Sequence, residues 1–397
     1  MTTSGVWDLQ QVRDKQLQSE WSYSSESDPG TLWQWGINQS GNLGLNDRTA
    51  RSSPTQVGTE GTWLVMSCWQ NETGGVKEDG TLWTWGTNEF GHLGLNDKTA
   101  RSSPTQVGTN TNWANVYMSN EFCMGVKTDG TFWQWGYNSE GVRGTPAAGM
   151  PTQRSSPIQM PGTNWSSELG KFATGPGGFI GAIKTDGTLW CWGKKVGGSL
   201  GQNNNTTYTS PRQVGTGTDW LVIGGKEGAN MTNIKAMKTD GTMWTWGQNY
   251  DGQAGLNYIT APSDQGISSP TQLPGTNWST YFSNTYARIF AKTDGSLWSW
   301  GTSYAGSLDR NVGGNYKRSS PAQIGTDTTW FASSGSEAVV GTKTDGTLWA
   351  WGPNGFGTLA QNDRTARSSP TQVGTDTDWM SGSIRAIGAN MIARKFA

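Results

Sequence analysis

Apolar and polar positions alternate along this chain in short runs, and the alternation itself recurs. The run Thr-Leu-Trp-x-Trp-Gly, with small variations, puts both tryptophans on one side of an extended strand and the leucine on the other. Its first tryptophan falls at Trp33, Trp83, Trp133, Trp190, Trp244, Trp298 and Trp349, spaced 50 to 57 residues apart. Asp-Gly precedes most copies and is a tight-turn dipeptide that joins two antiparallel strands. After each copy comes a Gly/Asn-rich stretch, then a Ser-Pro step at Pro54, Pro104, Pro157, Pro211, Pro270, Pro321 and Pro370. A third tryptophan follows, at Trp63, Trp113, Trp165, Trp220, Trp278, Trp330 and Trp379. No helical periodicity runs for more than a turn or two inside the repeats. Each repeat therefore predicts about four short strands, and a period of this size predicts units that bury their apolar faces by stacking on one another.

The two ends of the chain complement each other. The first Gly-Thr-Leu-Trp begins at Gly30 with no strand pair before it, while Met391-Ile-Ala-Arg-Lys395 matches the run that precedes the other turns, as in Gly181-Ala-Ile-Lys184. Asp28-Pro-Gly30 stands in for Thr-Asp-Gly. The expectation is an all-β, seven-bladed β-propeller over residues 28–397, closed by strands from both termini, with residues 1–27 as a short N-terminal extension. Closure removes the free sheet edges that invite aggregation. The tryptophans are expected to hold the blades together, with Trp133, Trp190 and Trp244 fully buried.

Asp79-Gly-Thr-Leu-Trp-Thr-Trp-Gly86, then Asn88 with Gly91, Leu93 and Gly94, then Ser102-Ser-Pro-Thr-Gln-Val107 resemble the repeat of the regulator of chromosome condensation family of propellers. The resemblance covers roughly residues 28–397. Kelch repeats have a similar period but lack this core, and WD-type repeats are shorter. The family's best-known member exchanges nucleotide on a small GTPase and binds chromatin, so the resemblance implies a propeller and names guanine-nucleotide exchange as one activity to weigh. Fold alone does not carry that activity over. The chain has no basic tail, and its inserts Thr145–Gln153 and Asn257–Gly266 lack the look of an ordered hairpin.

Composition narrows the classes further. A net charge of −1 argues against an electrostatic nucleic-acid footprint. No stretch is long and apolar enough to span a bilayer, and residues 1–28 carry no run with the form of a secretory signal. Cys68, Cys123 and Cys191 are unevenly spaced, which fits neither a disulfide framework nor a zinc site and predicts reduced, structural thiols.

Candidate chemistry is sparse. His92, the single histidine, fills a slot that holds Asn42 and Val142 in neighbouring repeats, so it reads as a loop side chain rather than a general base. The Asp of each Asp-Gly recurs in equivalent places and reads as a turn residue. The Gly-rich loops lead into no helix with a Lys-Ser/Thr pair, so they are not phosphate cradles. No catalytic, cofactor or metal residue is expected, and no enzyme. Asn46–Arg51, Asn96–Arg101 and Asn362–Arg367 are near-identical and neighbour one another around a closed ring; duplication of a solvent loop explains them, and a repeated polar binding surface is the other reading. Phe90, Tyr250, Tyr304 and Phe356 sit beside loop glycines, where they either pad a turn or form a rim that touches a glycan.

The extension carries Val6, Trp7, Leu9, Val12, Leu17 and Trp21, which fit a short amphipathic helix loosely. Its start, Gly5-Val-Trp followed by Leu and a glutamine-rich stretch, looks like the start of tail or surface proteins of marine bacteriophages. From this the expected function is a non-enzymatic structural or adhesion protein of a phage virion, made in the host cytoplasm. Those six residues would dock it to other virion proteins or to further copies of itself, and outer loops would touch a host glycan or protein. The alternatives are a cellular propeller scaffold that binds a protein partner and, behind it, a nucleotide-exchange factor. Neither nucleic acid nor membrane insertion is expected.

Overall fold

The Asp-Gly turns set the strand pairs. Gly80 N–H donates to the Lys77 carbonyl at 2.9 Å, and Gly80 takes φ +73°, where a Cβ would stand 2.0 Å from the Thr111 carbonyl oxygen. Glycine is required there both by the left-handed backbone and by the close approach of the neighbouring linker. Asp79 Oδ1 accepts from Thr81 N–H at 2.9 Å and from its hydroxyl at 2.6 Å, and the Trp83 indole N–H donates to that same hydroxyl at 2.8 Å. This Asp–Thr–Trp relay ties the turn to the strand it starts, and it recurs at Asp129, Asp186, Asp240, Asp294 (through Ser296) and Asp345.

The computed structural model describes residues 29–69, 71–119, 122–137, 153–175, 178–224, 233–261, 266–284, 287–303, 307–308, 316–335, 338–380, 383–387 and 390–396. Among these every named element is a strand. The strands form five four-stranded antiparallel sheets and one of eight strands, and the latter consists of two sets of four joined at the single pair Gly30↔Trp63. That gives seven four-stranded units. Unit 1 takes strands from both ends of the chain: Arg385–Ile387, Asn390–Phe396, Gly30–Gly36 and Arg51–Gln56. Unit 2 has Trp63–Cys68, Glu72–Lys77, Leu82–Gly86 and Arg101–Gln106; unit 3 has Trp113–Met118, Phe122–Lys127, Phe132–Tyr137 and Gln153–Gln159. Unit 4 has Phe172–Gly175, Phe179–Ile183, Leu189–Gly193 and Tyr208–Gln213; unit 5 has Trp220–Gly224, Asn233–Lys238, Met243–Gly247 and Ile267–Gln272. Unit 6 has Trp278–Asn284, Ala287–Lys292, Leu297–Ser303 and Tyr316–Ile324; unit 7 has Trp330–Gly335, Val339–Lys343, Leu348–Gly352 and Arg367–Gln372. In unit 1 the pairing of the two chain ends is continuous, from Gly30↔Phe396 to Gly36↔Asn390.

Each unit's fourth strand carries the Ser-Pro step, and proline cannot donate to a ladder. In unit 2, Thr84 pairs Thr105 and Gly86 pairs Arg101, so Pro104 falls inside the irregularity between these pairs. An edge strand at a bulge is where proline is tolerated.

The core lies in the seams between units. One apolar cluster joins Met237 and Met243 of unit 5 to Phe290 and Trp300 of unit 6; another joins Trp35 and Met391 of unit 1 to Val340 and Leu348 of unit 7. First strands of successive units pack together through the series, and those of units 7 and 1 do so as well. The second tryptophan of each Trp-x-Trp pair is fully buried, and in six units its indole N–H reaches into the preceding unit. Trp85 donates to Asn42 O at 3.0 Å, Trp135 to His92 O at 2.8 Å, Trp246 to Ser199 O at 2.7 Å, and Trp35 to Thr358 O at 2.9 Å.

The first tryptophan of each pair corrects the expectation of full burial. Trp133, Trp190 and Trp244 are half-buried, while Trp135, Trp192 and Trp246 are the enclosed ones. Both rings of a pair do share a face, because the third tryptophan packs edge-on against both: Trp113 lies 6.1 Å from Trp133 and 6.1 Å from Trp135. The first ring sits at the turn end of its strand, and it is the second that enters the seam.

Candidate functional site

The Trp-x-Trp strand has a different apparatus at each end. At its glycine end the chain runs into the long Gly/Asn-rich loop. In unit 1 the side chain of Asn38, wholly buried, donates to Asp47 Oδ1 at 2.9 Å and to Thr49 O at 3.2 Å, and its own oxygen accepts from Leu43 N–H at 2.9 Å. Asp47 pairs with Arg51 at 2.5 Å, and Arg51 also donates to Thr49 O at 2.7 Å. The backbone N–H of Thr49 and the Arg51 guanidinium hold the Asp47 carboxyl below its usual range. The same brace stands at Asn88, Asp97 and Arg101, and at Asn354, Asp363 and Arg367.

These loops also tie each unit to the next. The Asn46 N–H donates to Ser102 O at 2.7 Å, Asn96 to Ser155 O at 2.6 Å, and Asn362 to Ser52 O at 3.3 Å. Asn46, Asn96 and Asn362 take φ +60°, +63° and +56°, a left-handed conformation that asparagine tolerates. With the loops fixed in this way, Arg48, Lys98 and Arg364 stand exposed at equivalent positions of three neighbouring loops. Lys98 also donates to Gln153 of the adjoining unit.

At the turn end lies a feature the repeat pattern does not display. The lysine before each turn has its ammonium over two indole rings, the first and the third tryptophans of its unit. Lys77 Nζ is 5.1 Å from the Trp63 ring and 4.1 Å from the Trp83 ring, and Lys343 Nζ is 5.1 Å from Trp330 and 4.0 Å from Trp349. Lys127, Lys184, Lys238, Lys292 and Lys395 repeat the arrangement. Partly desolvated cation–π contacts contribute of order 1 kcal/mol each. Carboxylates join some of them: Glu60 on Lys77, Asp327 on Lys343 at 2.5 Å, and Asp376 with Asp378 on Lys395 at 2.5 and 3.1 Å.

His92 is not a solvated loop side chain. It is buried, its Nε2 lies 3.3 Å from Glu72 Oε1, and Thr87 donates its hydroxyl to the same Glu72 oxygen at 2.6 Å. The repeat comparison misread it because Asn42 is equally enclosed at the equivalent position, so interchange between repeats does not mean exposure. Cys68, Cys123 and Cys191 are buried thiols in no disulfide, and burial alone pushes the Cys191 thiol well up. Among the described residues no group of three or more His, Cys, Asp or Glu is placed to hold a metal.

The expected rim aromatics differ in exposure. Phe90 is half-buried against Tyr137, with ring centroids 5.3 Å apart; Tyr250 is half-buried; Phe356 is 51% exposed. Tyr304 lies outside the described residues, as do the docking residues Val6, Trp7, Leu9, Val12, Leu17 and Trp21.

The geometry defines an all-β protein of repeated four-stranded units, of the kind found in propellers. Residues 79–126 match the family described as Regulator of chromosome condensation (RCC1) repeat. The chain is 25% identical over 187 residues to the RCC1 domain-containing protein RUG3, mitochondrial, of Arabidopsis thaliana; that alignment covers 46% of this chain and 41% of the relative's length. Its fold is similar to Prp20p of Saccharomyces cerevisiae, a structure described with its binding to Gsp1p and histones (TM-score 0.76, 15% identity, 93% of this chain and 92% of that one). It is similar also to human WBSCR16 (TM-score 0.76, 16% identity, 93% and 99%). The fold is that of an RCC1-like propeller.

Proposed function

We propose that the seven units are the blades of one propeller, closed where Gly30–Gly36 pairs with Asn390–Phe396, and that it serves as a non-catalytic scaffold binding a protein partner. The observation that carries this reading is the set of three braced loops. Their acids and asparagines are engaged within the loop, while Arg48, Lys98 and Arg364 face outward at matching positions. Rigid, preorganised display of matching side chains lowers the entropy lost on binding. Prp20p, whose fold is similar, is described as binding Gsp1p and histones, and yeast RCC1 (Prp20) as bound to Kap60, so propellers of this shape do serve protein partners. Cross-linking mass spectrometry in the source material tests the reading. Cross-links from Lys98 to another protein are expected, and changing Arg48, Lys98 and Arg364 to glutamate should release that protein. A partner retained by the triple variant would count against this face. Release of labelled GDP from a small GTPase tests exchange activity separately, and no acceleration is expected.

A second reading rests on the N-terminal segment. Gly5-Val-Trp and the residues up to Trp21 favour a virion protein of a bacteriophage, docked through Val6, Trp7, Leu9, Val12, Leu17 and Trp21 to other virion proteins or further copies. Large aromatic groups in such a segment are suited to anchor it in pockets. Deleting residues 1–24 should leave a folded propeller that fails to join the particle; full occupancy of the truncated chain would end this reading.

A further inference from the structure

The linkers into the third tryptophan of units 2, 3, 5, 7 and 1 have equal length: Gly58-Thr-Glu-Gly-Thr-Trp63, Gly108-Thr-Asn-Thr-Asn-Trp113, Gly215-Thr-Gly-Thr-Asp-Trp220, Gly325-Thr-Asp-Thr-Thr-Trp330 and Gly374-Thr-Asp-Thr-Asp-Trp379. Their third position is Glu60, Asn110, Gly217, Asp327 and Asp376, so unit 5 alone of the five has no side chain there. In three of the five this residue puts a carboxylate on the lysine sandwiched by tryptophans. Unit 1 shows what the full arrangement holds, since Lys395 receives both Asp376 and Asp378. Unit 5 keeps the counterpart of Asp378, because Asp219 lies 3.2 Å from Lys238, but it has glycine where Asp376 would be.

At that place the protein has space and donors. A cavity of about 410 Å³ opens between units 4 and 5, lined by Gln202, Asn203, Gly217, Trp220, Lys238 and Trp244 among others. A Cβ built on Gly217 would stand 3.0 Å from Asp219 Oδ1, 3.4 Å from the Trp220 indole nitrogen and 3.7 Å from Lys238 Nζ. Trp220 is 5% exposed, and its indole N–H, like those of Trp63 and Trp379 in the units that carry the carboxylate, has no hydrogen-bond partner among the described residues, so it reports on the cavity without being taken up by the fold. Lys238 thus has room for a second acceptor beside Asp219, as Lys395 has Asp376 beside Asp378, and the half-buried Trp244 ring forms an apolar wall next to that place. A volume of several hundred Å³ with an aromatic wall and a few convergent polar groups is the usual form of a ligand site.

We propose that this cavity binds a carboxylate supplied from outside the fold, in the place that Glu60, Asp327 and Asp376 fill from within it. The carboxylate accepts from Lys238 Nζ beside Asp219, and its carbon skeleton lies against Trp244. The source is either a free organic acid or a glutamate or aspartate side chain of a peptide. The site does not depend on the scaffold reading, which concerns the loops at the other end of the Trp-x-Trp strand.

The experiment follows the Trp220 indole resonance of the full ¹⁵N-labelled chain, assigned with Trp220→Phe. Titrants are acetyl-Ala-Glu-Ala-amide, its glutamine analogue, and benzoate. A saturable shift with the glutamate peptide and none with the glutamine analogue is expected if the source is a peptide; a matching shift with benzoate identifies a free acid. Gly217 has no left-handed backbone, so Gly217→Asp can place its own carboxylate on Lys238. That variant should weaken binding at least about ten-fold, and Lys238→Gln should do likewise. Absence of a saturable shift with any carboxylate up to about 50 mM would overturn the proposal. Equal binding of the glutamine analogue, or undiminished binding by both variants, would also overturn it.

Discussion

At the scale of the residue, the three tryptophans of a repeat have three different roles. The second is enclosed and donates across a seam; the third joins both rings of the pair; the first carries a lysine and receives a turn. Trp135→Ala should therefore cost about 3–5 kcal/mol, through lost burial and a cavity. Trp133→Ala loses a half-buried ring, a cation–π contact and one indole hydrogen bond, and should cost roughly half as much. Thermal denaturation of the two variants checks the order, and equal shifts would contradict it. Sequence alone could not rank them, since a period of two puts both on one face, and what separates them is an acceptor carbonyl from another repeat. His92→Asn should change stability by less than about 1 kcal/mol, because Asn42 already occupies the equivalent buried slot. A larger loss of melting temperature would show that the Glu72 contact stabilises the fold.

At the scale of the element, the turn and the fourth strand were legible because their chemistry is local. Asp79-Gly80 fixes a left-handed turn and Ser103-Pro104 fixes an edge. The lysine sandwich was not legible, because Lys77, Trp63 and Trp83 come from three different strands and only their register brings them together. The candidate carboxylate site was hidden for a related reason: Gly217 means nothing until its linker is set beside those of Glu60, Asp327 and Asp376. Gly80→Ala should destabilise unit 2 by more than about 1 kcal/mol, since the turn must adopt a strained φ and move off the Thr111 carbonyl. Chemical denaturation should show a lower midpoint at unchanged slope. A neutral result would mean that the linker yields freely.

At the scale of the whole molecule, the turn acids act together. Hydrogen bonds from the following Thr or Ser hold Asp79, Asp129, Asp186, Asp294 and Asp345 below the ordinary carboxylate range. A carboxyl lowered in the folded state stabilises it fully above the unfolded value of about 4 and loses that effect as pH falls through the folded value. Melting temperature should thus be flat above about pH 5 and fall progressively below pH 4, with Asp→Asn changes at these turns flattening the fall. These groups are mostly exposed, so each contributes little and the effect is cumulative. Removing residues 390–397 should expose the partner edge of Gly30–Gly36 and produce aggregation, measured by light scattering. A soluble truncation that melts cooperatively would speak against the closed ring.

The pairing of Gly30–Gly36 with Asn390–Phe396 also sets a schedule for biosynthesis. At a typical 5–20 residues per second, the strand at Gly30 waits of the order of tens of seconds on the ribosome before its partner has been made. Throughout that interval near-copies of the missing strand leave the tunnel one after another, each ending in a lysine and an Asp-Gly turn. Misregistration of the nascent chain is therefore an inherent hazard. The features that distinguish the proper partner are Arg394, whose guanidinium reaches the Trp63 carbonyl at 2.7 Å, and Phe396, which follows Lys395 where the other copies have Thr or Glu. Fidelity of assembly in so repetitive a protein rests on the few places where the repetition is broken.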